Sequence, residues 1–216
     1  MEEGSVGGGT GMISFAFKAG IGTASRVVVT GDGEFRLGVL VQSNFGRREE
    51  LRINGAPIGI RLGEDRVPKP RVPEFLANPR PGEPAPTPAG GSIIGIAASD
   101  APLLPHQLDA LAQRLGIGLG RVGNAADHWS GDLFLAFSTA NRQPSPNVSW
   151  RAPLTSEIMA LSNRYLDPFF TAAVEAMEEA ILNSMLASPT MVGRDGVTAH
   201  ALPADDLVDI LRGFGG

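Results

Sequence analysis

The chain contains no cysteine. Disulfides, thiolate zinc sites and a cysteine nucleophile are excluded together, while the redox compartment stays open because a cysteine-free chain suits either environment. Histidine is nearly as scarce: His106, His128 and His200 lie far apart and form no H-x-x-x-H pair, so a histidine-rich metal site has no support. Aromatics make up 6% of the 216 residues, and 18 Lys+Arg stand against 23 Asp+Glu for a formal net charge of -5. That balance lacks the dense basic face that nucleic acid demands. No apolar run approaches the ~20 residues of a spanning helix, and Met1-Glu2-Glu3-Gly4 has neither the basic nor the apolar region of a signal peptide. The expectation is a soluble, cytoplasmic protein that binds neither nucleic acid nor membrane.

Glycine (28) and proline (17), by contrast, are plentiful, and 43% of the residues are hydrophobic, enough for one real core. Five of the eight residues in GSVGGGTG (4–11) are glycine, which reads as a loop. MISFAFK (12–18) alternates Ile13, Phe15 and Phe17 with Ser14, Ala16 and Lys18, the period of a half-buried strand. RVVVT (26–30) and FRLGVLVQ (35–42) flank Gly31-Asp32-Gly33 and predict a hairpin. A short strand at 51–53 and a turn at Asn54-Gly55 follow. Eight of the seventeen prolines fall between Glu64 and Gly91, predicting an exposed, extended linker over 64–89. SIIGIAA (92–98) and LFLAFS (133–138) read as buried strands. Helices are predicted over 102–115, with Pro105 in the first turn, over 167–186, with Asp167 as cap and Pro168 as first residue, and over 204–211. Strands followed by helices in each half imply layered α/β packing with mixed or antiparallel sheets covered by helices.

The most informative junction is Gly90-Gly91-Ser92. Two glycines allow a strained, approachable carbonyl, and a hydroxyl residue follows at the start of a rigid strand. Attack by the Ser92 hydroxyl on the Gly91 carbonyl would cleave the chain and give Ser92 a free amine, whose reference pKa of ~7.7–8.0 suits a general base for its own hydroxyl. By spacing alone, Gly-Gly-Ser before a strand is ordinarily a loop end, Asn44 in SNFG an αL turn residue and Ser130-Gly131-Asp132 a plain turn. GSVGGGTG also invites a phosphate-loop reading, but it lacks the GK[ST] ending and leads into a strand.

Longer motifs decide between these readings. GSVGGGTGM (4–12), FKAGIGTASRVV (17–28), GVLVQSNFG (38–46), GGSIIGIAASDAPLLPHQLDALAQR (90–114), GLGR (118–121), SGDLFLAFSTAN (130–141) and GRDGVTAHALPADDLVDILRGFG (193–215) resemble, in order, the L-aminopeptidase/D-esterase/D-amidase family, which includes the β-aminopeptidases. The resemblance implies a self-processing N-terminal-nucleophile hydrolase of α+β class, with a four-layer αββα sandwich of distinct topology. It further implies that Ser92 is the nucleophile, that Gly91–Ser92 is the autocleaved bond, and that residues 1–91 belong to an α-chain and 92–216 to a β-chain of one domain. Asn44 matches the oxyanion-donating amide. Ser130 and Asp132 match the hydroxyl and carboxylate that orient the nucleophile, although the family often has the longer Glu where Asp132 stands. Implied substrates are small peptides, amides or esters, the implied assembly is a homo-oligomer of processed αβ units, and no cofactor or metal is called for.

The family's α-chain also carries a large segment upstream of the glycine-rich motif, including a Tyr at the catalytic centre and an acidic group for the substrate ammonium. The expectation is a chain shortened at its N-terminus, with an exposed inner face that favours association. Two further readings stand beside the hydrolase: a non-catalytic remnant, and an acyltransferase of the ornithine acetyltransferase group, against which counts that group's Thr in place of Ser92. His106 is expected on a helix surface, His128 and Trp129 near the cleft or an edge, and His200 in a structural place.

Overall fold

Glycines and β-branched residues dominate the first half of the chain, and there the backbone runs mainly as strand. The computed structural model describes residues 1–31, 33–71, 91–125, 128, 130–142 and 157–214. A 3-10 turn at Gly7–Gly9 leads into a small hairpin of β1 (Ile13–Ser14) and β2 (Phe17–Lys18), followed by the long strands β3 (Ile21–Thr30) and β4 (Gly33–Asn44). After a 3-10 turn at Arg48–Glu50 and the single-turn helix α1 (Ile58–Arg61) come β5 (Ser92–Ser99), α2 (Pro105–Arg121), β6 (Leu133–Ser138) and α3 (Asp167–Leu186). The pair β7 (Met191–Val192) and β8 (Thr198–Ala199) and helix α4 (Ala204–Phe214) close the chain. Among the described residues no helix is long and apolar enough to cross a membrane.

The main sheet has the order β3-β4-β5-β6: β4 pairs antiparallel with both β3 and β5, and β6 lies parallel to β5 after the α2 crossover. The mixed sheet and the α+β class agree with expectation. Helix α3 packs on β3 and β4, and α2 packs on α3 and β6, all on one side. There Leu37, Val39, Val41, Ile93 and Ala97 are buried beneath Phe169, Ala173, Met177, Ala180 and Ile181. Gly118 permits the close helix crossing, since a Cβ there would lie 2.6 Å from the Val174 carbonyl oxygen and 2.7 Å from the Met177 Cβ. Helices α2 and α3 thus form one helical layer on one face of the four-stranded sheet.

Several expectations are corrected. Residues 12–18 are a hairpin, not one strand: Phe15 (φ 51°) and Ala16 (φ 58°) adopt left-handed backbone, and the chain doubles back so that Phe15, Phe17, Ser14 and Lys18 are all buried. The penalty of about 1–2 kcal/mol for a left-handed L-residue is offset because Arg48 grips both turn carbonyls, donating from Nε to Phe15 O (2.9 Å) and from an η nitrogen to Ala16 O (2.8 Å). Leu51–Ile53 forms no strand; Ile53 and Ala56 make an isolated bridge around Asn54-Gly55, both at positive φ. Among the described residues LFLAFS is an edge strand with one open face, not a buried one: Leu133, Leu135 and Phe137 are 65%, 57% and 43% exposed.

The first part of the expected linker is folded back, with Val67 buried and its carbonyl, like that of Leu62, accepting from Arg48. Residues 72–90, including the rest of the proline-rich segment and Gly90, lie outside the described residues, as do Asp32, Trp129, Gly215 and Gly216. Helices α2 and α4 run past their expected ends, and the first begins only at Pro105 because residues 102–104 are non-helical. Leu166, not Asp167, occupies the N-cap of α3, and Asp167 lies in the first turn. Phe169 is the fully buried aromatic of α3, whereas Phe170 is half-buried under the Arg114 guanidinium.

Candidate active site

The end of β4 and the start of β5 lie side by side, with Asn44 paired to Ser92 in the antiparallel register. Alternation along β5 sends Ile93 into the helix-covered core and leaves Ser92 exposed on the opposite face. Gly91 fits here because any side chain would meet the neighbouring strand: its Cβ would overlap the Phe45 backbone and come within 2.5 Å of the Asn44 carbonyl oxygen. The Gly91–Ser92 peptide is therefore held against β4 while the Ser92 hydroxyl faces open space. The Gly131 N–H donates to the Ser92 Oγ at 3.2 Å.

Asn44 is fixed from behind. The backbone N–H of Ile13 donates to its Oδ1 at 3.0 Å, so the atom facing the β1 hairpin is the amide oxygen and the NH₂ is the end left to serve as donor. The hairpin is secured beneath this contact by a hydrogen bond between the buried Ser14 and Ser43 hydroxyls (2.7 Å) and by Phe15 N–H donating to Phe45 O (2.8 Å). On the other side of Ser92, immediately before β6, the Ser130 hydroxyl donates to Asp132 Oδ1 at 2.6 Å. The structure thus gathers Ser92, Asn44 and the Ser130-Gly131-Asp132 segment at one end of the sheet. The direct contact to Ser92 from that segment comes from the Gly131 amide, while Ser130 and Asp132 bond to each other.

His106 is exposed on α2, and His128 is exposed as well. His200 accepts a backbone hydrogen bond from Lys18 N–H through its carbonyl (2.7 Å), a structural place. Sequence reasoning missed the Gly131 amide and, above all, Lys18, expected to face outward but only 1% exposed. Its Nζ donates to the carbonyls of Gly9, Met12 and Ala19. The available signal was the glycine-rich loop itself, whose carbonyls need donors once the loop is packed.

A hydroxyl at a strand's first residue, a side-chain amide across the ladder and a hydroxyl–carboxylate pair just before the next strand are the elements of an acyl-transfer site. The chain belongs to peptidase family S58, whose sequence profile matches residues 1–199. It is 44% identical over 214 residues to the beta-peptidyl aminopeptidase BapA of Sphingosinicella microcystinivorans, covering 99% of this chain and 52% of that protein. Among solved structures it resembles a Burkholderia sp. beta-aminopeptidase (41% identity, TM-score 0.82, 100% of this chain and 55% of that one). It also resembles the L-aminopeptidase D-Ala-esterase/amidase of Ochrobactrum anthropi (39% identity, TM-score 0.84, 100% and 53%), described as a serine aminopeptidase with a new variant of the Ntn hydrolase fold. The chain spans about half the length of the relatives it matches.

Proposed function

We propose that this chain carries the nucleophile of a self-processing serine aminopeptidase or amidase-esterase that removes N-terminal residues from small peptides, amides or esters. The observation that carries the reading is the placement of Ser92 at the head of β5, opposite Asn44 and behind a glycine pressed against β4. Maturation begins when Ser92 Oγ attacks the Gly91 carbonyl carbon. The Gly91–Ser92 C–N bond breaks, the nitrogen takes up a proton as the new α-amine, and water hydrolyses the resulting Gly91–Ser92 ester to leave a Gly91 carboxylate. The freed amine then accepts the proton from Ser92 Oγ as that oxygen attacks a substrate carbonyl, and water releases the acyl group in a second step. The Asn44 NH₂ stabilises the tetrahedral oxygen, a role in which one preorganised donor contributes ~2.7–4 kcal/mol. Ser130 and Asp132 hold the segment whose Gly131 N–H orients Ser92 Oγ. The division into residues 1–91 and 92–216, and assembly of processed units into a homo-oligomer, follow from the same reading.

Intact-mass spectrometry of the purified chain tests it. Two fragments divided between Gly91 and Ser92, and a single uncut, inactive chain for Ser92→Ala, are expected; a Ser92→Ala chain that still divides there refutes the nucleophile assignment. The non-catalytic reading has one specific observation in its favour, the apolar sheet face left open beside the site. An intact wild-type chain with no hydrolytic activity would select that reading.

A further inference from the structure

We infer that Lys18 is a positioning residue for the Asn44 amide, acting on it through the Met12–Ile13 peptide; this rests on the reading of Asn44 as the oxyanion donor. One peptide unit joins the two side chains. Its carbonyl, Met12 O, accepts from Lys18 Nζ at 2.8 Å, and its N–H, on Ile13, donates to Asn44 Oδ1 at 3.0 Å. Because the peptide is conjugated, a cation on its oxygen draws density from its nitrogen and makes the N–H a stronger donor. The stronger bond to Oδ1 in turn polarises the Asn44 amide and makes its NH₂ a stronger donor. Every step pushes in one direction, from ammonium to the site where negative charge would develop.

The placement of Lys18 fits this role better than one of packing alone. At 1% exposure it bears the desolvation cost of an ammonium, which pushes its pKa down, and no carboxylate pairs with it among the described residues. Its three protons go instead to three carbonyls, Met12 O, Gly9 O at 3.3 Å and Ala19 O at 2.5 Å. Those bonds tie the glycine-rich loop to the β1–β2 hairpin on either side of the peptide that touches Asn44. The same Met12 carbonyl also accepts from Ala19 N–H at 3.1 Å, so the peptide plane is held by two donors on its oxygen and one acceptor on its nitrogen.

The first test uses NMR of the full chain carrying Ser92→Ala, which needs no activity. Adding Lys18→Met should move the Ile13 amide proton upfield, speed its exchange and shift the Asn44 side-chain NH₂ resonances. A folded variant with all three unchanged overturns the inference. Should Lys18→Met fail to fold, the Ser92→Ala chain answers directly. Its Lys18 ammonium protons should exchange slowly and show coupling across the hydrogen bond to the Met12 carbonyl, and an ammonium exchanging freely with solvent overturns the inference.

The second test is the rate of division at Gly91–Ser92 in freshly synthesised chain. Lys18→Met should slow it about tenfold, Asn44→Ala about a hundredfold or more, and the double variant no more than Asn44→Ala alone. Additive losses would give Lys18 a merely structural role and overturn the inference. An Asn44→Ala chain that divides at the normal rate would instead refute the oxyanion reading on which it rests.

Discussion

The two faces of β5 and β6 in the four-stranded sheet are built from the same kinds of residue and meet different surroundings. On one face Leu37, Val39, Val41, Ile93 and Ala97 disappear beneath α2 and α3. On the other, Val27, Val29, Ile94, Leu133, Leu135 and Phe137 stand between 40% and 65% exposed among the described residues. Ser92, the candidate nucleophile, sits at the edge of this open face. A strand with one wet face ordinarily alternates apolar and polar residues, whereas SIIGIAA and LFLAFS are apolar on both sides, the pattern of strands buried on both. Along β5 and β6 the open face therefore has the composition of an interior while lying at the surface, whereas on β3 and β4 Val27 and Val29 pair with Arg36 and Glu34.

The largest effect should come from the covered face. Ile93, fully buried and one residue from the candidate nucleophile, should cost about 2–5 kcal/mol of unfolding free energy when cut to Ala, because both transfer energy and packing are lost. Urea unfolding with an unchanged m-value measures it. A cost below about 1 kcal/mol would mean that the helices do not seal this side of the sheet, and the contrast between the faces would collapse.

How much of this was legible depended on whether a pattern had a single physical cause. The hairpin of β3 and β4, the strand starting at Ser92 and the long α3 followed from turn chemistry and periodicity. The family motifs brought Ser92, Asn44 and the Ser130–Asp132 pair into view, and the fold lays all of them at one end of the sheet. The β1–β2 hairpin was not legible, because alternation in MISFAFK suits a strand as well as two strand ends around a left-handed Phe15-Ala16 turn. What decides is Arg48, more than 30 positions away, through its bonds to the turn carbonyls. Burial of Lys18 was hidden for the same reason: a lysine reads as solvated until distant loop carbonyls are folded around it. Exposure of β6 was hidden because an apolar run states what a strand is suited to contact and not whether that contact is present.

The smaller prediction concerns the open face and sharpens the contrast. Leu135 is paired to Ile96 across the parallel ladder and is 57% exposed, so Leu135→Ala in a lone chain removes little buried area and should cost less than about 1 kcal/mol. The answer changes if the face is covered in solution by another copy. Stability would then rise with protein concentration, because association stabilises only the folded form, and Leu135→Ala would approach the cost of Ile93→Ala as concentration increases. Unfolding curves for both variants at two concentrations about a hundredfold apart separate the cases. A Leu135→Ala cost that stays small at both leaves the patch uncovered, whereas a cost that grows with concentration, while that of Ile93→Ala holds nearly constant, identifies the open face as a contact between chains.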